Sequence, residues 1–122
     1  MIHRGILVLA AIALLSAAPV FAADATGRWT TTISTQIGAL DYVYEFKVDG
    51  EKLTGKAKSQ FGEIEIVDGK VRGDVLTFVE NINFDGNPIR IEYKGTVAGD
   101  EIRFTRQVGD FATEEFVAKR AK

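Results

Sequence analysis

Two charged side chains, Glu80 and Arg106, fall at positions where the sequence predicts the buried face of a β-strand. Glu80 alternates with Phe78 and Ile82 along one predicted strand, and Arg106 alternates with Phe104 along another. An isolated buried charge is costly, so each of the two needs a partner or water. One interpretation is a structural ion pair between them, or two charges at a hydrated opening of the fold. The other is a ligand site, in which Arg106 holds an anionic group or Glu80 acts as an acid or base.

Aromatic side chains share the predicted inner face with these charges. The inward set comprises Tyr42, Tyr44, Phe78, Tyr93 and Phe104. A buried tyrosine needs a polar partner for its hydroxyl, which favours a site, although the same rings can simply fill a narrow barrel. Gly95, on the strand between those of Glu80 and Arg106, could leave room beside these two side chains. The sequence therefore predicts ligand-binding residues Tyr42, Tyr44, Phe78, Glu80, Tyr93 and Arg106, with a filled core as the alternative.

The residue types that are missing exclude several chemistries. The chain has no Cys, its one His is His3, and its one Met is Met1. Without them, residues 23–122 cannot form Ser-His-Asp or Cys-His nucleophilic sites, haem ligation, copper sites or ordinary zinc sites. No Gly-rich phosphate loop follows a predicted strand. We therefore predict no metal, no cofactor and no catalytic residue.

A carboxylate-dependent enzyme stays open as an alternative. A pair of acids that hydrolyses a saccharide must face one cleft. Glu80 finds such a partner only if the last predicted strand turns Glu114 or Glu115 inward.

The elements that position these residues are short alternating strands separated by tight turns. Gly recurs where a hairpin needs positive φ, as in Asp49-Gly50 and Gly99-Asp100. Between the turns, apolar and polar residues alternate with period two. Eight strands are predicted, over residues 27–35, 39–48, 52–59, 63–72, 75–84, 88–97, 101–108 and 112–119. The fold class is all-β, a single eight-stranded antiparallel up-and-down barrel.

In two predicted strands, alternation does not decide which residues face the interior. In the fourth, Ile64 and Ile66 are even-numbered but Val71 is odd, which a one-residue bulge at Asp68-Gly69 would explain; a tight turn there is the alternative. In the eighth, Phe116 and Ala118 compete with Phe111 and Val117 for the interior.

The amino-terminal residues resemble a secretory signal peptide. A basic start is followed by an apolar run from Ile6 to Ala18, and small residues precede a predicted cleavage after Ala22. We therefore expect residues 1–22 to be removed, residues 23–122 to form one β-barrel domain, and the protein to be periplasmic or secreted with no membrane span. The chain has 15 basic and 17 acidic residues, which gives no electrostatic footprint for nucleic acid.

Gly27-Arg28-Trp29, at the start of the first predicted strand, resembles the Gly-x-Trp motif of lipocalins and other calycins. In those families the Trp closes the floor of the barrel, often beneath an Arg from a late strand. The resemblance implies that the barrel is calycin-like and that Arg120 or Arg106 stacks on Trp29, and it implies ligand binding by analogy.

Residues 67–74 and 109–120 resemble small exported bacterial β-domains, which occur free-standing or appended to glycoside hydrolases. We therefore predict an exported binding or accessory module without catalysis, for a small, partly apolar and possibly anionic ligand. The alternatives are the carboxylate-dependent enzyme, acting on a saccharide or small aromatic substrate, and a structural or interaction domain. A structural or interaction domain would have a filled, dry core and an apolar outer patch around Val75, Val79 and Val117.

Overall fold

Strands account for nearly all of residues 24–121, the part of the chain that the computed structural model describes. The predicted signal peptide at residues 1–22 lies outside the described residues. No helix within 24–121 is long and apolar enough to cross a membrane. The strands are β1 (Gly27–Thr35), β2 (Gly38–Asp49), β3 (Lys52–Ser59), β4 (Gly62–Glu65), β5 (Val67–Arg72), β6 (Val75–Phe84), β7 (Asn87–Ala98), β8 (Glu101–Val108) and β9 (Ala112–Arg120).

The sheet closes into a barrel, as predicted. Except for β4 and β5, which do not pair with each other, strands adjacent in sequence pair antiparallel, and β1 pairs with β9 through Trp29 opposite Arg120 and Thr30 opposite Lys119. Segments β4 and β5 both pair with β3 and together form the fourth barrel strand. The result is an eight-stranded antiparallel up-and-down barrel, whose closure leaves no long free edge.

The phase break in the fourth barrel strand is a bulge, which confirms the favoured interpretation. From Val67 to Lys70, β5 advances one residue more than the facing stretch of β6 from Val79 to Thr77. Asp68 takes a left-handed φ of 55° at this point, which is uncommon for a residue with a side chain. The extra residue returns Val71 to the interior, where it is fully buried.

The last strand turns its even-numbered residues inward. Ala118 is fully buried and Phe116 packs against the core. Phe111 and Val117 are exposed instead. The same phase brings Glu114 to the inner face, whereas Glu115 is exposed.

Aromatic rings fill the middle of the barrel. Tyr44 lies 6.2 Å from Phe78 and 5.7 Å from Phe104, measured between ring centroids, and Phe78 stacks on Tyr93 at 4.3 Å. The space beside Gly95 is occupied as well, because a Cβ there would lie 2.6 Å from Cε1 of Phe104. Gly95 therefore admits a ring of the protein and leaves no room for a ligand at that level.

The end of the barrel that holds the chain termini is sealed by Trp29. Its side chain is fully buried and donates a hydrogen bond from Nε1 to the carbonyl oxygen of Ala25 at 2.9 Å. The Cζ of Arg120 lies 4.3 Å from the Trp29 ring centroid. This confirms the predicted stack of an arginine on Trp29, with Arg120 as the partner.

Candidate functional site

The opposite end of the barrel contains a cavity of about 190 Å³. Four turns surround it, those between β1 and β2, β3 and β4, β6 and β7, and β8 and β9. We refer to it as the mouth cavity. Its lining residues are Thr35, Gln36, Ile37, Leu40, Tyr42, Phe61, Ile82, Phe84, Ile89, Ile91, Arg106, Val108, Phe111, Ala112 and Glu114.

The walls of the mouth cavity are largely apolar, and apolar side chains reach the solvent at the rim. Strand alternation sends Leu40, Ile82 and Ile91 inward near its base, where all three are buried. At the rim, Ile37 is 53% exposed and Phe111 is 67% exposed. A concave apolar surface of this kind suits a small apolar molecule, which would cover side chains that otherwise face water.

The charged groups of the mouth cavity lie at its floor, whereas Thr35 and Gln36 are polar lining residues at the rim. The Nε of Arg106 donates to Oε1 of Glu114 at 2.6 Å, and the Nη1 of Arg106 donates to the Tyr93 hydroxyl at 2.8 Å. The Arg106 and Glu114 side chains are only 3% and 10% exposed. The guanidinium also lies 5.1 Å from the ring centroid of Tyr42. Arg106 is thus held on several sides and cannot swing freely towards a ligand.

Glu80 lies deeper than this floor and anchors a chain of tyrosines. Its Oε1 accepts a hydrogen bond from the Tyr93 hydroxyl at 2.7 Å, and its Oε2 accepts one from the Tyr42 hydroxyl at 3.3 Å. The Tyr44 hydroxyl donates to that of Tyr93 at 3.0 Å. Every phenol in the interior therefore has a partner, as burial of such a group requires.

Burial dominates the acid–base behaviour of this network. It raises the pKa of the Glu80 carboxyl, although the hydrogen bond from Tyr93 and the charge of Arg106 act in the opposite direction. Burial also raises the pKa of Tyr44 and Tyr93 well above the ordinary tyrosine value. The tyrosines consequently remain neutral hydrogen-bond donors at neutral pH, and none is activated as a base.

The predicted ligand residues divide into two levels. Tyr42 and Arg106 line the mouth cavity. Tyr44, Phe78, Glu80 and Tyr93 lie in the filled interior beneath it and do not line it.

The expected direct pair between Glu80 and Arg106 is not formed. The ion pair of Arg106 is with Glu114, and its link to Glu80 passes through the Tyr93 hydroxyl. The reason is register, since Arg106 faces Tyr93 on one neighbouring strand and Glu114 on the other, whereas Glu80 faces Ile91.

Sequence reasoning missed most of the cavity wall. The missed apolar lining residues are Ile37, Leu40, Phe61, Ile82, Phe84, Ile89, Ile91, Val108, Phe111 and Ala112. A usable signal was present, because an apolar residue lies in or beside each of the four turns at this end, including Ile37, Phe61 and Phe111. The turns at the other end have none at their tips, for example Gly50-Glu51 and Gly99-Asp100.

In the described part of the chain two carboxylates face the interior, but they do not share an open cleft. Glu114 lines the mouth cavity, and Glu80, which is fully buried, does not. Glu114 is also held in an ion pair with Arg106. Within residues 24–121, no group of three or more His, Cys, Asp or Glu side chains is arranged to hold a metal ion.

No protein-family model matches the sequence, and the search of curated proteins found no match. The likeness to calycins therefore consists of the closed eight-stranded architecture, the Gly27-Arg28-Trp29 motif and the Arg120 stack on Trp29. A likeness of this kind bears on fold and carries no activity with it.

Proposed function

We propose that the protein is a β-barrel binding module that holds one small, largely apolar molecule in the mouth cavity. The observation that carries this proposal is the contrast between apolar walls and a polar floor, formed by Tyr42, Arg106 and Glu114. Such a cavity gives an apolar body a dry surface and a polar end a fixed orientation. The filled interior below limits the ligand to the mouth.

The size of the cavity restricts the ligand. Its volume is about 190 Å³, and a cavity of roughly 150 Å³ in another protein admits benzene. A single ring or a short branched chain fits, and a longer molecule would extend past Ile37 and Phe111 into solvent.

We place the protein in the periplasm or outside the cell, because residues 1–22 resemble a signal peptide. Among exported barrels, the Gly27-Arg28-Trp29 motif and the up-and-down topology favour a calycin-like module.

A carboxylate-dependent enzyme is the second candidate, because Glu114 turns inward. It is less well supported than binding, because the other inward acid within residues 24–121, Glu80, is sealed beneath the floor and cannot touch a substrate in the cavity. Hydrolysis of a glycoside needs both acids at the scissile bond.

The test is a titration of the barrel with benzyl alcohol, followed by ligand-observed NMR. Saturable binding is expected, and Ile89→Trp should abolish it because the indole would occupy the cavity. Arg90→Trp is the matched control, since Arg90 is the next residue on β7 and is exposed on the outer face. The proposal fails if the wild-type barrel shows no saturable binding, or if folded Ile89→Trp binds as well as Arg90→Trp.

A further inference from the structure

We propose that the mouth cavity selects a small organic cation, namely a protonated amine on an apolar body, over a neutral or anionic molecule of the same shape. This inference rests on the proposed function. It departs from the anionic ligand that an inward Arg106 led us to expect, because the partners of Arg106 change the charge that the floor presents.

The charge balance of the floor is the first argument. Arg106 is neutralised by Glu114 at 2.6 Å, and a second carboxylate, Glu80, lies behind it in the same hydrogen-bond network. The positive charge of Arg106 is therefore already balanced before a ligand arrives. The guanidinium is already committed to Glu114 and Tyr93, so an arriving anion would have to compete with a buried carboxylate for it.

A free acceptor on Glu114 is the second argument. Its Oε1 accepts from Arg106, and Oε2 accepts no hydrogen bond from the residues described. Within residues 24–121, no fully buried side-chain oxygen or nitrogen lacks a partner, so this oxygen must be accessible. Glu114 is nine-tenths buried and lines the mouth cavity. The floor thus offers a carboxylate oxygen that an ammonium group can satisfy with a charge-assisted hydrogen bond.

The residues around the floor also favour a positively charged ligand. Tyr42, Phe61, Phe84 and Phe111 line the cavity, and the faces of aromatic rings attract cations. The turns at this end, residues 36–37, 60–61, 85–86 and 109–111, contain two Asp and neither Lys nor Arg. The electrostatic field of these two aspartates attracts a cation towards the opening of the cavity and repels an anion.

The experiment compares benzylamine, benzyl alcohol and benzoate, which share a ring and differ in charge at pH 7. Dissociation constants are measured by ligand-observed NMR at low ionic strength. Benzylamine should bind about tenfold more tightly than benzyl alcohol, since its ammonium group adds charge–charge attraction to a hydrogen bond in which otherwise only Glu114 is ionised. Benzoate should bind most weakly.

Substitution of the acceptor tests the cause of the preference. Glu114→Gln keeps the shape of the side chain and removes its charge, so benzylamine should lose its advantage and benzoate should gain affinity from the unpaired Arg106. Glu115→Gln makes the same change in net charge at the next residue, on the exposed face, and should leave the order of the three probes unchanged.

The outcomes separate the two proposals. If wild-type barrel binds benzoate or benzyl alcohol as tightly as benzylamine, and Ile89→Trp still blocks binding, the preference for a cation is overturned while the binding function stands. If none of the three probes binds saturably, both fail. The order of the probes on the wild-type barrel decides the matter even if Glu114→Gln does not fold.

Discussion

Arg106 and Glu114 lie directly opposite each other on β8 and β9, and their side chains meet at 2.6 Å beneath the mouth of the barrel. The Arg106 side chain is 3% exposed and the Glu114 side chain 10%, so each has lost most of its hydration, while Glu114 keeps an oxygen at the mouth cavity. The desolvation is offset because the pair is closely hydrogen-bonded and because Tyr93 accepts a further hydrogen bond from Arg106. A buried pair of this kind is weak as a source of net stability but costly to break on one side only.

Removing one partner of this pair should strongly destabilise the barrel. Arg106→Met leaves the Glu114 carboxylate buried without a counter-ion, and we expect the free energy of unfolding to fall by about 3–5 kcal/mol. Equilibrium urea denaturation, followed by circular dichroism, measures this loss.

Two further variants identify the cause of the loss. Arg103→Met removes an exposed arginine from the outer face of the same strand and should leave stability almost unchanged. Arg106→Met combined with Glu114→Gln should be less destabilised than the sum of the single variants, because no charge is then left buried alone. Additive losses would contradict a coupled pair.

The buried carboxyl of Glu80 should make the barrel less stable as the pH rises above the ordinary glutamate pKa of 4.5. Because burial raises the pKa of Glu80, the folded protein binds this proton more tightly than the unfolded chain. The unfolding free energy should therefore decline from pH 4.5 until the raised pKa is passed, and then level off. Urea denaturation between pH 4 and 8 measures the decline, which Glu80→Gln should abolish.

Glu45 provides a control of opposite sign. The hydrogen bond from Lys58 lowers the pKa of this exposed carboxyl, so its contribution is present above the ordinary value and is lost as the pH falls through the lowered one. Glu45→Gln should leave the decline above pH 4.5 intact. If the unfolding free energy of Glu80→Gln still declines above pH 4.5, another titrating group causes the decline.

The architecture was predictable because it depends on local signals. Alternation with period two assigned the inner face of most strands, and the glycine turns set their ends. Even the bulge at Asp68-Gly69 could be located, since a one-residue insertion reverses the phase and Val71 revealed the reversal.

The site was less predictable because alternation assigns a face but not a height along the barrel. Glu80 and Arg106 share the interior, yet the register places Arg106 opposite Tyr93 and Glu114. The sequence did not decide which residues of the last strand face the interior, so the inward position of Glu114 could not be predicted. The mouth cavity depends on side chains from four separate turns, which only closure of the barrel brings together.

The stack of Arg120 on Trp29 should stabilise the sealed end of the barrel. Arg120 also donates hydrogen bonds to the carbonyl oxygens of Thr26 at 3.0 Å and Asp24 at 3.2 Å, which hold the chain before β1 in place. Arg120→Ala should lower the unfolding free energy by about 1–2 kcal/mol. Lys119→Ala, at the adjacent exposed position, should have little effect, and an equal loss in the two variants would argue against the stack.

Gly95 should tolerate no side chain, because Phe104 on the neighbouring strand covers it. A Cβ at this position would lie 2.6 Å from the Phe104 ring, so Gly95→Ala should lower the unfolding free energy by about 1–3 kcal/mol through overpacking. Phe104→Leu frees space beside the new methyl group, and the double variant should be more stable than the sum of the single losses predicts. Urea denaturation of all four proteins measures this coupling, and strict additivity would show that Phe104 is not the obstacle.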